Sequence, residues 1–118
     1  MEENKLFVYG TLKSTHGNHR CLHGATKVGE AVTVKKYGFY KHGIPYVTDD
    51  EKTVNVKGEL YTLSDAILGR CDRLEGHPRF YTRKEIEVKV GNEIHKAWCY
   101  INNNVDKDVA IHIDNGEY

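Results

Sequence analysis

Residues 64–75 have the pattern of one amphipathic helix with clear signals at both ends. Ser64 is a good N-cap residue, and Gly76 followed by Pro78 is typical of a helix C-terminus. This is the clearest helical pattern in the chain. A chain with one clear helix must build most of its core from strands, so folds made mainly of helices are excluded.

The last residue of this helix, Glu75, lies on the apolar side. At ~100° per residue, the predicted apolar stripe is formed by Ile67, Leu68, Cys71 and Leu74, and Glu75 falls between Leu68 and Cys71. A carboxylate facing the core costs free energy unless it is paired, hydrogen-bonded or protonated. Burial also raises its pKa toward the range useful for proton transfer. Alternatively, the helix frays early, or a buried arginine or tyrosine neutralises the carboxylate.

The rest of the chain is dominated by patterns typical of β-strands. The predicted strands and β-rich stretches are residues 5–9, 28–34, 37–47, 53–61, 81–90 and 93–101. Gly91 and Asn92 are suited to a tight turn between the last two, and a short helix is predicted from Asn18 to His23. These elements favour an α+β fold with a small curved sheet or partial barrel, expected as a single domain over residues 1–118.

Composition argues against several classes of partner. The chain has 17 basic and 17 acidic residues, so no strong charge favours nucleic acid or an anionic membrane. No apolar run approaches ~18 residues, and the acidic N-terminus does not resemble a signal peptide.

The three cysteines, Cys21, Cys71 and Cys99, are far apart in sequence and predict neither a disulfide framework nor a CxxC metal site. A reducing, cytoplasmic setting fits best.

Two other groups of residues have chemical potential. His16, His19 and His23 have helical spacing, but Gly17 interrupts it and no carboxylate accompanies them, so we expect solvated histidines and no metal. The segment Tyr9-Gly10-Thr11-Leu12 ends a buried strand, and its backbone amides either form a small anion-binding nest or belong to an ordinary turn.

These segments together resemble a known family. Phe-Val-Tyr-Gly-Thr-Leu-Lys at 7–13 resembles the N-terminal signature of γ-glutamylcyclotransferase-like proteins, most closely the γ-glutamylamine cyclotransferase branch. The sequence at 56–61 resembles the central strand of that family. Residues 74–78 and 80–83 resemble the segment that holds its catalytic glutamate.

The resemblance implies a fold, an activity and a site. The fold is a small mixed β-barrel flanked by helices. The reaction, which needs no cofactor, releases 5-oxoproline and a free amine from a small-molecule γ-glutamyl substrate. Glu75 matches the general acid/base, the backbone from Tyr9 through Gly10 and Thr11 to Leu12 matches the binding loop for the γ-glutamyl group, and Tyr81 matches a tyrosine near the site.

Two rival interpretations stay open at this stage. The same fold can serve a non-catalytic module that binds a small carboxylate or another small ligand. Alternatively, the enzyme acts on a γ-glutamylated protein, carrier or biosynthetic metabolite. The oligomeric state is not predicted by the sequence.

Overall fold

A computed structural model describes residues 4–10, 12–14 and 16–118. In chain order the elements are β1 (Asn4–Val8), a 3₁₀ helix (Gly17–Leu22), β2 (Thr26–Thr33), β3 (Gly38–His42), β4 (Ile44–Thr48), β5 (Lys57–Leu63), α1 (Asp65–Glu75), β6 (Thr82–Val90), β7 (Glu93–Ile101) and β8 (Ile111–His112).

Within these described ranges, five strands close into a barrel in the order β1-β5-β2-β6-β7. β1 runs antiparallel to β5, where Phe7 lies opposite Leu60. It runs parallel to β7, where Leu6 lies opposite Trp98, so the barrel is mixed. In the described part of the chain, three further strands form a separate sheet in the order β4-β3-β8. The α+β class and the small mixed barrel predicted from the sequence are therefore confirmed.

Side chains on the two faces of β1 enter two different cores, which explains its uninterrupted apolar sequence. Phe7 packs with Leu60 and Val88 in one core. Leu6 and Val8 pack in a second core against α1 and the 3₁₀ helix, which lie on the outside of the barrel. A strand covered on both faces needs no alternation of polar and apolar residues.

The caps of α1 agree with the sequence prediction. The amide of Ile67 donates to the Ser64 hydroxyl at 3.3 Å, and Gly76 ends the helix in the left-handed conformation with φ 68°. The prediction that Leu74 belongs to the buried stripe is wrong, because 47% of its surface is exposed. The buried side is centred on Leu68 and Cys71, and Glu75 lies closer to that direction than Leu74 does.

Two other boundaries differ from the prediction. The strand predicted at residues 53–61 is β5, which begins only at Lys57, because the amide of Val56 donates to the Thr33 hydroxyl and not to a continuing ladder. The short helix begins at Gly17 with His16 as its N-cap residue, and not with Asn18 as the cap. Among the described residues, no helix has the length and apolar character needed to cross a bilayer.

Candidate active site

A cavity lies where the loop after β1 meets the C-terminal end of α1. It is a narrow cleft that opens to solvent, and the space between its walls is about 270 Å³ when the solvent at its mouth is included. Its walls are formed by Phe7, Val8, Tyr9, Gly10, Leu12, Pro45, Glu75, Tyr81 and Tyr100. The structure thus brings Tyr9, Gly10, Leu12, Glu75 and Tyr81 to one place, although Glu75 is 63 positions or more from the first three. Thr11, also predicted for the site, lies outside the described residues.

Glu75 contributes a carboxyl group in an unusual electrostatic environment. Burial raises the pKa of Glu75 to about 7. Within residues 4–10, 12–14 and 16–118, no hydrogen bond or ion pair to this carboxyl group opposes that effect. A carboxyl group with such a pKa exchanges its proton near neutral pH, which is the property required of a general acid/base.

Asp72, one turn before Glu75, fixes the last turn of α1 to the barrel. Its carboxylate accepts two hydrogen bonds from the Arg83 guanidinium, at 2.7 and 3.0 Å, and one from the Tyr100 hydroxyl at 2.7 Å. Burial opposes ionisation, but the bonds from Arg83 and Tyr100 outweigh it and lower the pKa of Asp72. This bidentate pair connects α1 to β6, and the tyrosine connects it to β7.

The tyrosine hydroxyls around the cavity are bonded to backbone carbonyl groups. Tyr81 donates to Pro45 O and Tyr9 donates to Tyr100 O, both at 2.7 Å. Burial raises the pKa of both tyrosines, so both stay protonated. Their rings therefore form rigid walls of the cavity, and the Tyr81 hydroxyl is already used in its bond to Pro45 O.

Gly10 is required by the close approach of a neighbouring strand. A Cβ atom at this position would overlap Cγ of Pro45 in β4. The backbone then turns, and the amide of Lys13 donates to Gly10 O at 2.9 Å. Close packing, and not a positive φ, explains this glycine. Any side chain here would push Pro45 and the loop apart and change the shape of the cavity.

Glu59 fixes the other end of the same loop. This residue is only 3% exposed and accepts hydrogen bonds from the Ser14 amide at 2.8 Å, the Ser14 hydroxyl at 2.6 Å and the Tyr61 hydroxyl at 3.0 Å. Burial would raise its pKa, but these donors, aided by Lys27, lower the pKa of Glu59 to about 2. An ionised carboxylate under the loop thus fixes the position of Ser14.

Sequence reasoning missed four of the residues that shape this site. Asp72 is separated from Glu75 by one helical turn, and this spacing could have suggested a supporting role. Pro45 lies in the predicted β-rich stretch 37–47, and its contact with Gly10, 35 positions earlier, has no local signal in the sequence. Glu59 and Tyr100 gave no signal, because their partners are 45 and 28 positions away.

The histidines predicted to be solvated lie beside this loop. His19 Nδ1 is 3.0 Å from Leu12 O, and the His16 ring lies 5.0 Å from the ring of Tyr118. The part of the chain that the structure describes contains no group of three His, Cys, Asp or Glu side chains arranged to hold a metal ion.

Comparison with known proteins now identifies the family. The sequence matches the family described as gamma-glutamyl cyclotransferase, AIG2-like, over residues 6–118. The chain belongs to this family. A family member from Methanocaldococcus jannaschii is 36% identical over 116 residues, covering 96% of this chain and 93% of the relative.

Two mammalian proteins extend the comparison. The gamma-glutamylaminecyclotransferase of Rattus norvegicus is 35% identical over 94 residues, covering 72% of this chain and 63% of the rat protein. The crystal structure of an AIG2-like protein from Mus musculus has a TM-score of 0.80 at 24% identity, covering 92% of this chain and 82% of the mouse chain, which shows the shared fold. The protein is therefore an enzyme of the gamma-glutamylcyclotransferase type, and the interpretation as a non-catalytic module is not favoured.

Proposed function

We propose that this AIG2-like enzyme releases 5-oxoproline and a free amine from a γ-glutamyl amine or γ-glutamyl amino acid, with Glu75 as the general acid/base. One observation carries the proposal. A carboxyl group whose pKa is raised to about 7 lines the same cavity as the backbone of Tyr9, Gly10 and Leu12. A small substrate in that cavity contacts both.

Proton transfer is the main chemical requirement of this reaction. The substrate α-ammonium group gives a proton to the Glu75 carboxylate, and the resulting amine attacks the γ-carbonyl carbon. The new C–N bond closes a five-membered ring, and the carbonyl oxygen becomes an oxyanion. The ring nitrogen carries two hydrogens after the attack and gives one proton to water. When the original amide C–N bond breaks, the leaving nitrogen takes the first proton back from Glu75, and the released amine then takes up the second proton from water, so the charge of the α-ammonium group ends on the free amine. One carboxyl group near neutral pKa serves both steps, and no cofactor is required.

The loop after β1 is the proposed binding site for the γ-glutamyl group. The amides of Lys13 and Ser14 already donate to Gly10 O and to Glu59. The candidate donors for substrate oxygens are therefore the amides of Gly10 and Leu12, together with Thr11 as predicted from the sequence. Donors placed before reaction stabilise an oxyanion without reorganisation, and they are commonly worth several kcal/mol (~3) in the transition state.

Geometry also favours intramolecular attack. The rings of Tyr9 and Tyr81 are fixed through their hydroxyls, so the walls of the cavity are rigid. A rigid site that holds the substrate in a folded conformation places its amine beside its own γ-carbonyl. Such positioning alone can lower a barrier by roughly 7–11 kcal/mol relative to a bimolecular reaction.

The direct test is product analysis across a panel of substrates. The purified protein is incubated with γ-glutamyl amines and γ-glutamyl amino acids, starting with the amines because the rat relative is named gamma-glutamylaminecyclotransferase. We expect 5-oxoproline and free amine in equal amounts. Matched amides of glutaric acid, which lack the α-amine, are the control and should be inert. Turnover of these controls, or absence of 5-oxoproline with every γ-glutamyl compound, would contradict the proposal.

A further inference from the structure

Two cysteines that are distant in sequence meet next to the site. The sulfur atoms of Cys21, in the 3₁₀ helix, and Cys71, in α1, are 3.2 Å apart and share a hydrogen bond. Both residues are buried, with Cys21 8% and Cys71 0% exposed. A disulfide bond requires about 2.05 Å between sulfurs, so an approach of about 1.1 Å would suffice. The proposed reaction uses neither thiol.

The elements that carry this pair are already held together. The Arg70 guanidinium donates to Cys21 O at 2.9 Å and to His23 O at 2.6 Å, which fixes the end of the 3₁₀ helix against α1. Because these two hydrogen bonds from Arg70 fix the backbones of the two helices relative to each other, the sulfur atoms can form a bond without a large backbone motion. The third cysteine, Cys99, is fully buried and packs in the other core with Phe7 and Leu60.

We propose that Cys21 and Cys71 form a reversible disulfide when the protein reacts with a peroxide. This bond links the 3₁₀ helix to α1, the helix that carries Glu75. The Cys21 thiolate attacks one peroxide oxygen and becomes a sulfenic acid as the O–O bond breaks. The Cys71 thiol then attacks that sulfur and releases water. The two thiols together lose two electrons and two protons, and hydrogen peroxide is reduced to two waters.

The order of the two steps follows from the environments of the sulfur atoms. Cys21 keeps some exposure, whereas Cys71 has none, so the oxidant reaches Cys21 first. The hydrogen bond from Cys71 lowers the pKa of Cys21, and the same bond and burial raise the pKa of Cys71. The thiolate, which is the reactive form, is therefore favoured at Cys21.

The bond would connect the two elements that border the site. Cys71 lies one turn before Glu75 in α1, and the 3₁₀ helix directly follows the loop that begins at Gly10. Oxidation would thus fix the loop side of the cavity to the helix that carries Glu75. This inference concerns the thiols alone and does not depend on which substrate the enzyme uses.

The experiment treats the native full chain with hydrogen peroxide and then alkylates the remaining thiols in denaturant. We expect one of the three thiols to remain alkylatable and the intact mass before alkylation to fall by about 2 Da. Peptide mapping should locate the link at Cys21–Cys71, and dithiothreitol should restore all thiols. The midpoint of thermal unfolding should rise by about 5 °C or more on oxidation, because the bond closes a long loop.

Matched variants make the result specific. Cys99→Ser should still form the link, whereas Cys21→Ser and Cys71→Ser should not. The peptide map of the unmutated protein decides the question even if one of these variants fails to fold. Three alkylatable thiols after peroxide, sulfinic acid at Cys21 without a link, or a link that involves Cys99 would each overturn the proposal.

Discussion

The carboxyl groups of Glu59, which is buried, and Glu75, which is half-buried, lie near the same loop and have opposite pKa shifts. Glu59 accepts hydrogen bonds from Ser14 and Tyr61 and is approached by Lys27, and its pKa is lowered to about 2. Glu75 has no such donors among the described residues, and burial raises its pKa to about 7. Glu59 is the more deeply buried of the two residues and yet has the lower pKa, so burial alone does not determine the pKa of these carboxyl groups.

The difference between Glu59 and Glu75 is the supply of donors, and it separates a structural role from a reactive one. A fully hydrogen-bonded carboxylate stays ionised and fixes its partners in place. A buried carboxyl group without donors is costly to ionise, but it can give and take a proton near neutral pH.

The largest effect is expected for turnover when Glu75 loses its proton-transfer ability. Glu75→Gln should retain the fold and lower 5-oxoproline release by ~10²-fold or more, the scale of lost general acid–base catalysis. Glu87→Gln, on an exposed part of β6, is the matched control and should leave turnover unchanged. Near-normal turnover in Glu75→Gln would remove this residue from the proposed role.

The second-largest effect is expected for the free energy of unfolding when Glu59 loses its charge. Glu59→Gln removes the charge and places an amide group next to the Ser14 donors, so the free energy of unfolding should fall by roughly 2–4 kcal/mol at pH 7. Urea denaturation measures this change. An unchanged unfolding free energy would mean that the donors around Glu59 are dispensable.

The pH dependence of that contribution has a definite sign. The folded-state pKa of about 2 lies below the ordinary value, so the stabilisation by Glu59 is complete above the pKa of the unfolded chain and is lost as the pH falls toward 2. The Glu59→Gln variant should therefore show a flatter decline of stability in acid than the unmodified protein.

Glu75 should show the opposite sign. Its folded-state pKa of about 7 lies above the ordinary value, so stability is greatest below the unfolded pKa and falls as the pH rises through 7. Glu75→Gln should therefore be more stable than the unmodified protein at pH 8, by about 1–3 kcal/mol after allowance for partial exposure. The gap should close near pH 4. A Glu75→Gln variant that is less stable than the unmodified protein at pH 8 would show that hydrogen-bond donors stabilise the ionised Glu75 carboxylate.

The smallest effect is expected at Lys27. Its amino group lies 3.4 Å from Glu59, but its side chain is 41% exposed, and such ion pairs contribute little in water. Lys27→Met should change the unfolding free energy by less than about 1 kcal/mol. A loss as large as that of Glu59→Gln would show that the lysine, and not Ser14 and Tyr61, holds the carboxylate.

Local patterns predicted much of the fold. The caps at Ser64 and Gly76 act within one turn of the helix, and the two-residue turn at Gly91 and Asn92 joins adjacent strands, as Val90 opposite Glu93 shows. The uninterrupted apolar run of β1 correctly predicted a buried strand. In each case the deciding interactions lie close together in sequence.

Contacts between elements that are far apart in sequence could not be predicted. Glu59 and Tyr61 occupy the polar positions of an alternating strand, which normally face water, but the loop and the helices cover that face. The contact between Cys21 and Cys71 and the fit of Pro45 against Gly10 depend on how those layers pack. The inward position of Glu75 was predicted because helical periodicity reports it directly.

The most direct test of the central contrast is the titration of the Glu75 carboxyl carbon by NMR in the free protein. Selective ¹³C labelling of glutamate, with Glu75→Gln to assign the resonance, allows its pKa to be read from the chemical shift against pH. We predict a value of about 7, well separated from that of Glu59, at about 2. A midpoint near the ordinary carboxyl value of about 4.3 would contradict the account.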